Sequence, residues 1–322
     1  LVHPNYYGVG IDAKRIAEVA HERHMLVLVD EAHGPHLVPS LGMPVPALTS
    51  GADLVAQSTH KLLGSLTQTS MLHGQGSRID VDRIQRLQQI LMSTSPNYIF
   101  LASLDMARHQ WVTERQSLMK DTLHLARTLR RALNEIPGIA CPSVEDIEGA
   151  FSLDETKIII DAKDLGLTAQ ELERELRARH IEVELMKAYH VLLLITIGDT
   201  DTSIQQVIDA VQDISDLYRH RIESITNSID SYASTVETLP TPIVALSPRQ
   251  AFYTEMEEIP LPEALGRISG ETITYYPPGI PCLGVGETIT EEVLAYMKQK
   301  QCDGYVPNGA KNRNLDTIIV CK

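Results

Sequence analysis

The segment STHKLLGSLTQTS, residues 58–70, decides how this chain is read. It continues from ADLVAQS (52–58), an apolar run that leads into Ser58, His60 and Lys61. Upstream, MLVLVD (25–30) is a second apolar run, closing on Asp30 and followed by EAHGPH (31–36). Runs of this kind suit strands covered on both faces in a parallel sheet. LTQTSMLHG (66–74) is a weaker third candidate. Ahead of them, Ile11, Ile16, Ala17, Val19 and Ala20 share a helical face that ends near Arg23 and His24. Strands alternating with helices predict a right-handed α/β arrangement. Ligands in such sheets gather at the carboxyl ends of the strands, where Asp30 and the segment after Ser58 fall.

Residues 98–135 read as one long helix or two, holding the only tryptophan, Trp111. From about 150 to 220 the pattern is strand, helix, strand, strand, helix, an α+β unit. Thr168 and Glu171 form a capping box ahead of Leu172 and Leu176. Ile204, Val207, Ile208 and Val211 mark a further amphipathic helix. Residues 224–247, rich in Ser, Thr and Pro, read as a connection. A last unit, 248–322, contains YYPPGIPCLGVGE (275–287), whose Pro277, Pro278, Gly279 and Pro281 shape a rigid loop, and one helix near 290–300.

At 322 residues the chain is long enough for two or three domains. Its 43% hydrophobic and 22% charged residues are ordinary for a globular protein. A net charge of −14 without a cationic patch argues against a nucleic-acid partner. Cys141, Cys282, Cys302 and Cys321 lack metal-type spacing and read as reduced thiols in a cytoplasmic protein. The run VLLLITI (191–197) is too short to span a bilayer, and no signal-type segment opens the chain. The chain begins at Leu1 and runs at once into HPNYYGVG (3–10), which reads as entry into the middle of a domain. A processed or truncated chain is the expectation.

A lysine at a buried strand end is costly unless paired or used, and burial there favours a neutral, nucleophilic amine. An acid on the neighbouring strand could keep a pyridine nitrogen protonated, which makes the ring of pyridoxal phosphate (PLP) an electron sink. Lys61 and Asp30 are placed for those roles. A helicase reading of DEAH (30–33) needs a phosphate loop that the chain lacks. Isolated His and Asp at a strand end, here His33 and His36 with Asp30, are more often hydrogen-bonded than metal-bound, and no further ligand has convincing spacing, so no metal is expected. Ser58, Thr94 and Ser95 suit turns and caps as well as ligands. Arg267 and Glu271 could recognise a substrate's charged end or form an internal ion pair.

The two segments resemble the PLP site of the Orn/Lys/Arg decarboxylase family. PNYYGVG (4–10), STSPNYIFLASLD (93–105) and GRISGETITYYPPGIPCLGVGE (266–287) also look like family segments, in family order. The resemblance implies the fold-type-I, aspartate-aminotransferase-like architecture. Residues 1–106 would be the C-terminal part of a PLP-binding large domain and 107–223 a small α+β domain. Residues 224–247 would be a linker and 248–322 the family's C-terminal domain. Lys61 would form the internal aldimine, Asp30 bind the pyridine nitrogen, Ala32 lie against a ring face and His33 sit near the ring hydroxyl. Ser58 and His60 would contact the phosphate. Thr94 and Ser95 would stand at a homodimer interface, near the partner's cofactor. The implied reaction is decarboxylation of arginine, lysine or ornithine to a di- or polyamine. Three features depart from the family. Its large domain begins well before residue 1, Tyr276 stands where Pro is expected and Gly270 where Ala is expected, and 309–317 lacks an Asp-Pro. A truncated or non-catalytic PLP-fold subunit and a fold-type-I aminotransferase are the alternatives, the latter leaving 248–322 without a role.

Overall fold

A computed structural model describes residues 1–187, 189–221, 238–276 and 279–322. The chain divides into two units, Leu1–Ser228 and Ile229–Lys322.

In the first unit, β2 (Leu28–Asp30) and β3 (Leu54–Gln57) pair in parallel, with Asp30 level with Ala56. The third strand, β4 (Met71–Gly74), pairs with β3 antiparallel. Residues 1–3 extend the sheet on the far side of β2: His3 N–H donates to the Asp30 carbonyl at 3.0 Å, and Asp30 N–H to that of Leu1 at 2.8 Å. Helix α1 (Ala13–Glu22) starts at Asp12, whose carboxylate accepts the Arg15 N–H. Its Ala17 packs with Val27, Val29, Ala47, Ala52 and Val55. The sheet is covered on one face only. Val27 and Val29 are buried, whereas Leu26, Leu28 and Leu72 are exposed. The apolar run at 25–30 is thus half-covered, where cover on both faces was expected.

Helix α4 (Tyr98–Asn134) is one continuous helix of 37 residues, capped by Asn97, and it runs through the boundary read at 106/107. Its second half buries Leu125, Ala126, Leu129 and Leu133 against an antiparallel sheet in the order β6 (Lys157–Asp161), β8 (His190–Leu194), β7 (Leu185–Lys187). Helix α5 (Ala169–Arg177) and helix α6 (Asp201–Tyr218) complete this core. The capping box of Thr168 and Glu171 is present. A two-residue pairing, β1 (Val9–Gly10) with β5 (Ser152–Leu153), ties the opening segment to this part of the unit.

The second unit pairs Met256–Pro260 with Thr317–Cys321 antiparallel, and Ile273–Thr274 with Pro281–Leu283. Helix Glu291–Cys302 places Val293 and Met297 in its core, beside Tyr275, Ile318 and Val320. Residues 224–237 of the expected linker lie outside the described residues, as do Pro277 and Pro278 of the expected rigid loop. No described helix is long and apolar enough to cross a membrane.

Candidate active site

The parallel pairing of β2 and β3 brings two strand ends to the same edge. Asp30 closes β2, and its carboxylate accepts the Ala32 N–H at 3.0 Å, turning the chain into EAHGPH. Beyond β3, Ser58 precedes a single helical turn, α2 (Thr59–Leu62), which carries Lys61. Lys61 therefore sits one turn past the strand and is half-buried, not at a buried strand end as expected. Its Nζ donates to His33 Nε2 at 3.1 Å. Burial first, then the positive charges of Lys157 and Lys61, push the His33 pKa down to about 3. A neutral ring accepting at Nε2 carries its proton on Nδ1, and that atom is buried without a partner among the described residues. The Tyr6 ring, 4.3 Å from the His33 ring between centroids, lies 5.7 Å from Lys61 Nζ.

Glu31 locks the turn in place. It is fully buried and accepts the Ala47 N–H and the Gln57 side-chain N–H, each at 2.6 Å. Burial pushes its pKa up to about 7, against the pull of those two hydrogen bonds. Gly34 is required here, because a Cβ at that position would lie 2.4 Å from Glu31 Cγ. His36, fully buried, meets Asp154 Oδ2 at 2.9 Å, so the two histidines of EAHGPH face different partners. Charge and hydrogen bonding from His36, with help from Lys157 and Thr156, hold Asp154 well below the usual carboxylate range despite complete burial.

The structure brings Asp30, Ala32, His33, Ser58, His60 and Lys61 to one edge of the sheet. His60 donates from Nδ1 to the Thr69 carbonyl at 2.7 Å, which fixes its ring. The Ser58 hydroxyl makes no cap bond to α2. Thr94 and Ser95 are exposed in the link between α3 (Val81–Leu91) and α4, and among the described residues neither bonds to that group. Arg267 and Glu271 spend their polar atoms inside the second unit. Arg267 donates to Glu257 and to the Cys321 carbonyl, while Glu271 accepts the N–H groups of Lys311 and Ile319. Sequence reasoning missed Tyr6, Asp154 and Lys157. The signal for the last two was LDETK (153–157), a charged cluster set directly before the apolar run IIID.

Residues 1–203 match the family model described as Orn/Lys/Arg decarboxylase, major domain, and residues 230–305 match the model for its C-terminal domain. The chain belongs to the Orn/Lys/Arg decarboxylase family. It is 39% identical to an arginine decarboxylase of Bacillus anthracis and 40% identical to that of Bacillus subtilis, over its full length. It spans 65% of the length of these curated relatives. The constitutive lysine decarboxylase of Escherichia coli superposes over 100% of this chain and 57% of its own, with a TM-score of 0.77 at 22% identity. A NifS-like protein of Rickettsia africae shares the fold more distantly, at a TM-score of 0.53 and 15% identity over 67% of this chain and 61% of its own.

Proposed function

We propose that this chain carries the Lys61-centred part of a PLP-dependent decarboxylase of basic amino acids, with L-arginine as the first substrate. The observation behind this reading is the 3.1 Å contact between Lys61 and His33, with Asp30 at the end of the adjoining parallel strand. The donor set fits PLP: a reachable amine, a carboxylate with a single backbone partner, and a buried ring nitrogen whose proton lacks an acceptor. PLP, when bound, supplies an aldehyde for the substrate's amine and a ring that accepts the bond pair left behind by departing carbon dioxide. In this reading Lys61 offers the amine that holds the cofactor between turnovers. Asp30 pairs with the protonated ring nitrogen, Ala32 lies against a ring face, and neutral His33 orients by hydrogen bonding beside the ring hydroxyl. Ser58 and His60 take the phosphate.

The arginine decarboxylases sharing about two residues in five with this chain favour arginine over lysine and ornithine. We also assign an assembly of at least two copies, with Thr94 and Ser95 reaching the partner's cofactor. Ile90, Leu91, Met92, Tyr98 and Ile99 flank them, all exposed, which is apolar surface suited to burial against a second copy. In domain terms, residues 1–106 close the large domain, 107–223 form the small one, and 248–322 form the C-terminal one. The test is release of labelled carbon dioxide from L-arginine, L-lysine and L-ornithine at saturating PLP, with sedimentation of the same sample. Release from arginine above the other two supports the reading. Formation of a keto acid with no carbon dioxide replaces it with an aminotransferase.

A further inference from the structure

Lys157 opens β6 and is 1% exposed, yet among the described residues its Nζ has no hydrogen-bond partner. Its stem passes beneath Gly8, where a Cβ would lie 2.6 Å from Lys157 Cγ. Burial is the largest influence on the ammonium and pushes its pKa down; Asp154 and Glu184 oppose that, and Lys61 adds to it. Neither carboxylate answers it directly. Asp154 gives Oδ2 to His36 and Oδ1 to the Thr156 backbone and hydroxyl, at 3.1 and 2.7 Å. Glu184 accepts the Tyr6 hydroxyl, and the Tyr6 ring in turn lies against His33 at a tilt of 50°. A buried ammonium with unanswered donors is costly to the fold. Gly8, against the Lys157 stem, stands two residues from Tyr6, whose ring lies 5.7 Å from Lys61 Nζ and 4.3 Å from the His33 ring, and the charge of Lys157 helps depress the His33 pKa.

We propose that Lys157 is the receptor for the α-carboxylate of the amino acid that reacts at Lys61. This rests on the decarboxylase reading. Asp154 and Glu184 spend oxygens on His36, Thr156 and Tyr6, so the Lys157 ammonium keeps donors to offer, and a single ammonium suits one carboxylate. A doubly charged phosphate calls for more donors, and Ser58 and His60 are assigned to it on the α2 side. Held by Lys157, the carboxylate fixes the direction of the bond to Cα that breaks. The amine product has no such group, so Lys157 distinguishes substrate from product.

Lys157→Met keeps the stem and removes the charge, and loss of an unpaired buried charge is compatible with folding; should it not fold, Lys157→Gln carries the same test. With PLP present, the variant keeps the wild-type absorbance band, and its KM for L-arginine rises about tenfold to a hundredfold, the range of a charge-assisted hydrogen bond. The inhibition constant of agmatine, the same cation without the carboxylate, stays within about twofold. Loss of the band in the variant assigns the ammonium to the cofactor's phosphate and overturns the proposal. So does equal weakening of arginine and agmatine. A second arm needs no cofactor: sodium butyrate, compared with equal sodium chloride, raises the thermal midpoint of the wild-type chain and not of the variant. If the wild type shows no PLP band, the decarboxylase reading fails and this arm alone decides. A butyrate effect confined to the wild type retains a carboxylate receptor, and the same response in both proteins removes it.

Discussion

The two sheets of the first unit are built on opposite terms. The sheet β6–β8–β7 sits under three helices, and its core runs from Leu125 through Ile160 and Leu172 to Ile214, most members being fully buried. The sheet β2–β3–β4 has a core of six buried residues and leaves Leu26, Leu28 and Leu72 exposed. Yet Asp30, His33, Ser58 and Lys61 all belong to the thin sheet. Stability is concentrated where hydrophobic burial is thickest, and reactive groups stand where a ligand can still reach them. Among the described residues, buried polar atoms that lack partners occur in both regions, His33 Nδ1 after β2 and Lys157 Nζ at the start of β6. Each such group calls for an explanation, and a bound ligand is one that fits here.

The largest effect that separates the two regions is chemical. Lys61→Ala removes the proposed nucleophile, so carbon dioxide release falls by at least about a thousandfold. Because Lys61 is half-buried and, among the described residues, its side chain hydrogen-bonds only to His33, the thermal midpoint changes by no more than about 2 °C. A large loss of stability would show instead that Lys61 is a structural member of the sheet.

Leu129→Ala in the thick core does the reverse. Leu129 is fully buried, and truncation there costs about 2–5 kcal/mol in chemical denaturation. The residual folded protein keeps its affinity for PLP.

Glu31 gives a pH signature. Its folded pKa, about 7, lies above the ordinary 4.5, so the folded state binds more protons between those values. Its contribution is fully present below pH 4.5 and is lost as pH rises through 7, by roughly 3 kcal/mol at full effect. His33 has the opposite sign: its folded pKa, about 3, lies below 6.5, so stability from it is lost as pH falls from 6.5 toward 3. Between pH 4.5 and 6.5 the two trends oppose each other; Glu31→Gln lowers stability, because an amide cannot accept both N–H donors, and leaves the His33 trend uncompensated, so stability then rises with pH across that window. Denaturant midpoints across that window read it directly. An unchanged slope would contradict the assignment.

The smallest effect belongs to the open face. Leu28→Ser changes the stability of the isolated chain by about 0.5 kcal/mol or less, since Leu28 is 53% exposed. A larger loss would mean that this face is covered in solution.

Much of this arrangement is legible in the sequence, and the limits are physical. The capping box at Thr168 and the apolar periods of α5 and α6 are local, and local signals survive without tertiary context. The same holds for Asp30 and Lys61, each marked by an apolar run ending in a polar cluster. The half-covered state of β2 could not be read, because an apolar run records what a strand can bury, not what covers it. The joining of His36 to Asp154 across 118 positions depends on β1 pairing with β5, two residues each, too short to leave a periodic trace. The LDETK cluster marks Lys157 as a charge beside an apolar run but does not show that it is buried. Its burial follows from the close approach of Gly8, which only the folded chain reveals.

Lys61 is the proposed cofactor lysine, and every other role assigned to the site depends on it. The most direct measurement is an absorbance titration of this chain and of Lys61→Ala with PLP, followed by borohydride reduction and peptide mapping. The account predicts a visible band in the wild type, fixed by reduction onto the peptide containing Lys61 and absent from the variant. A band that survives in Lys61→Ala, or a label on another lysine, would contradict it.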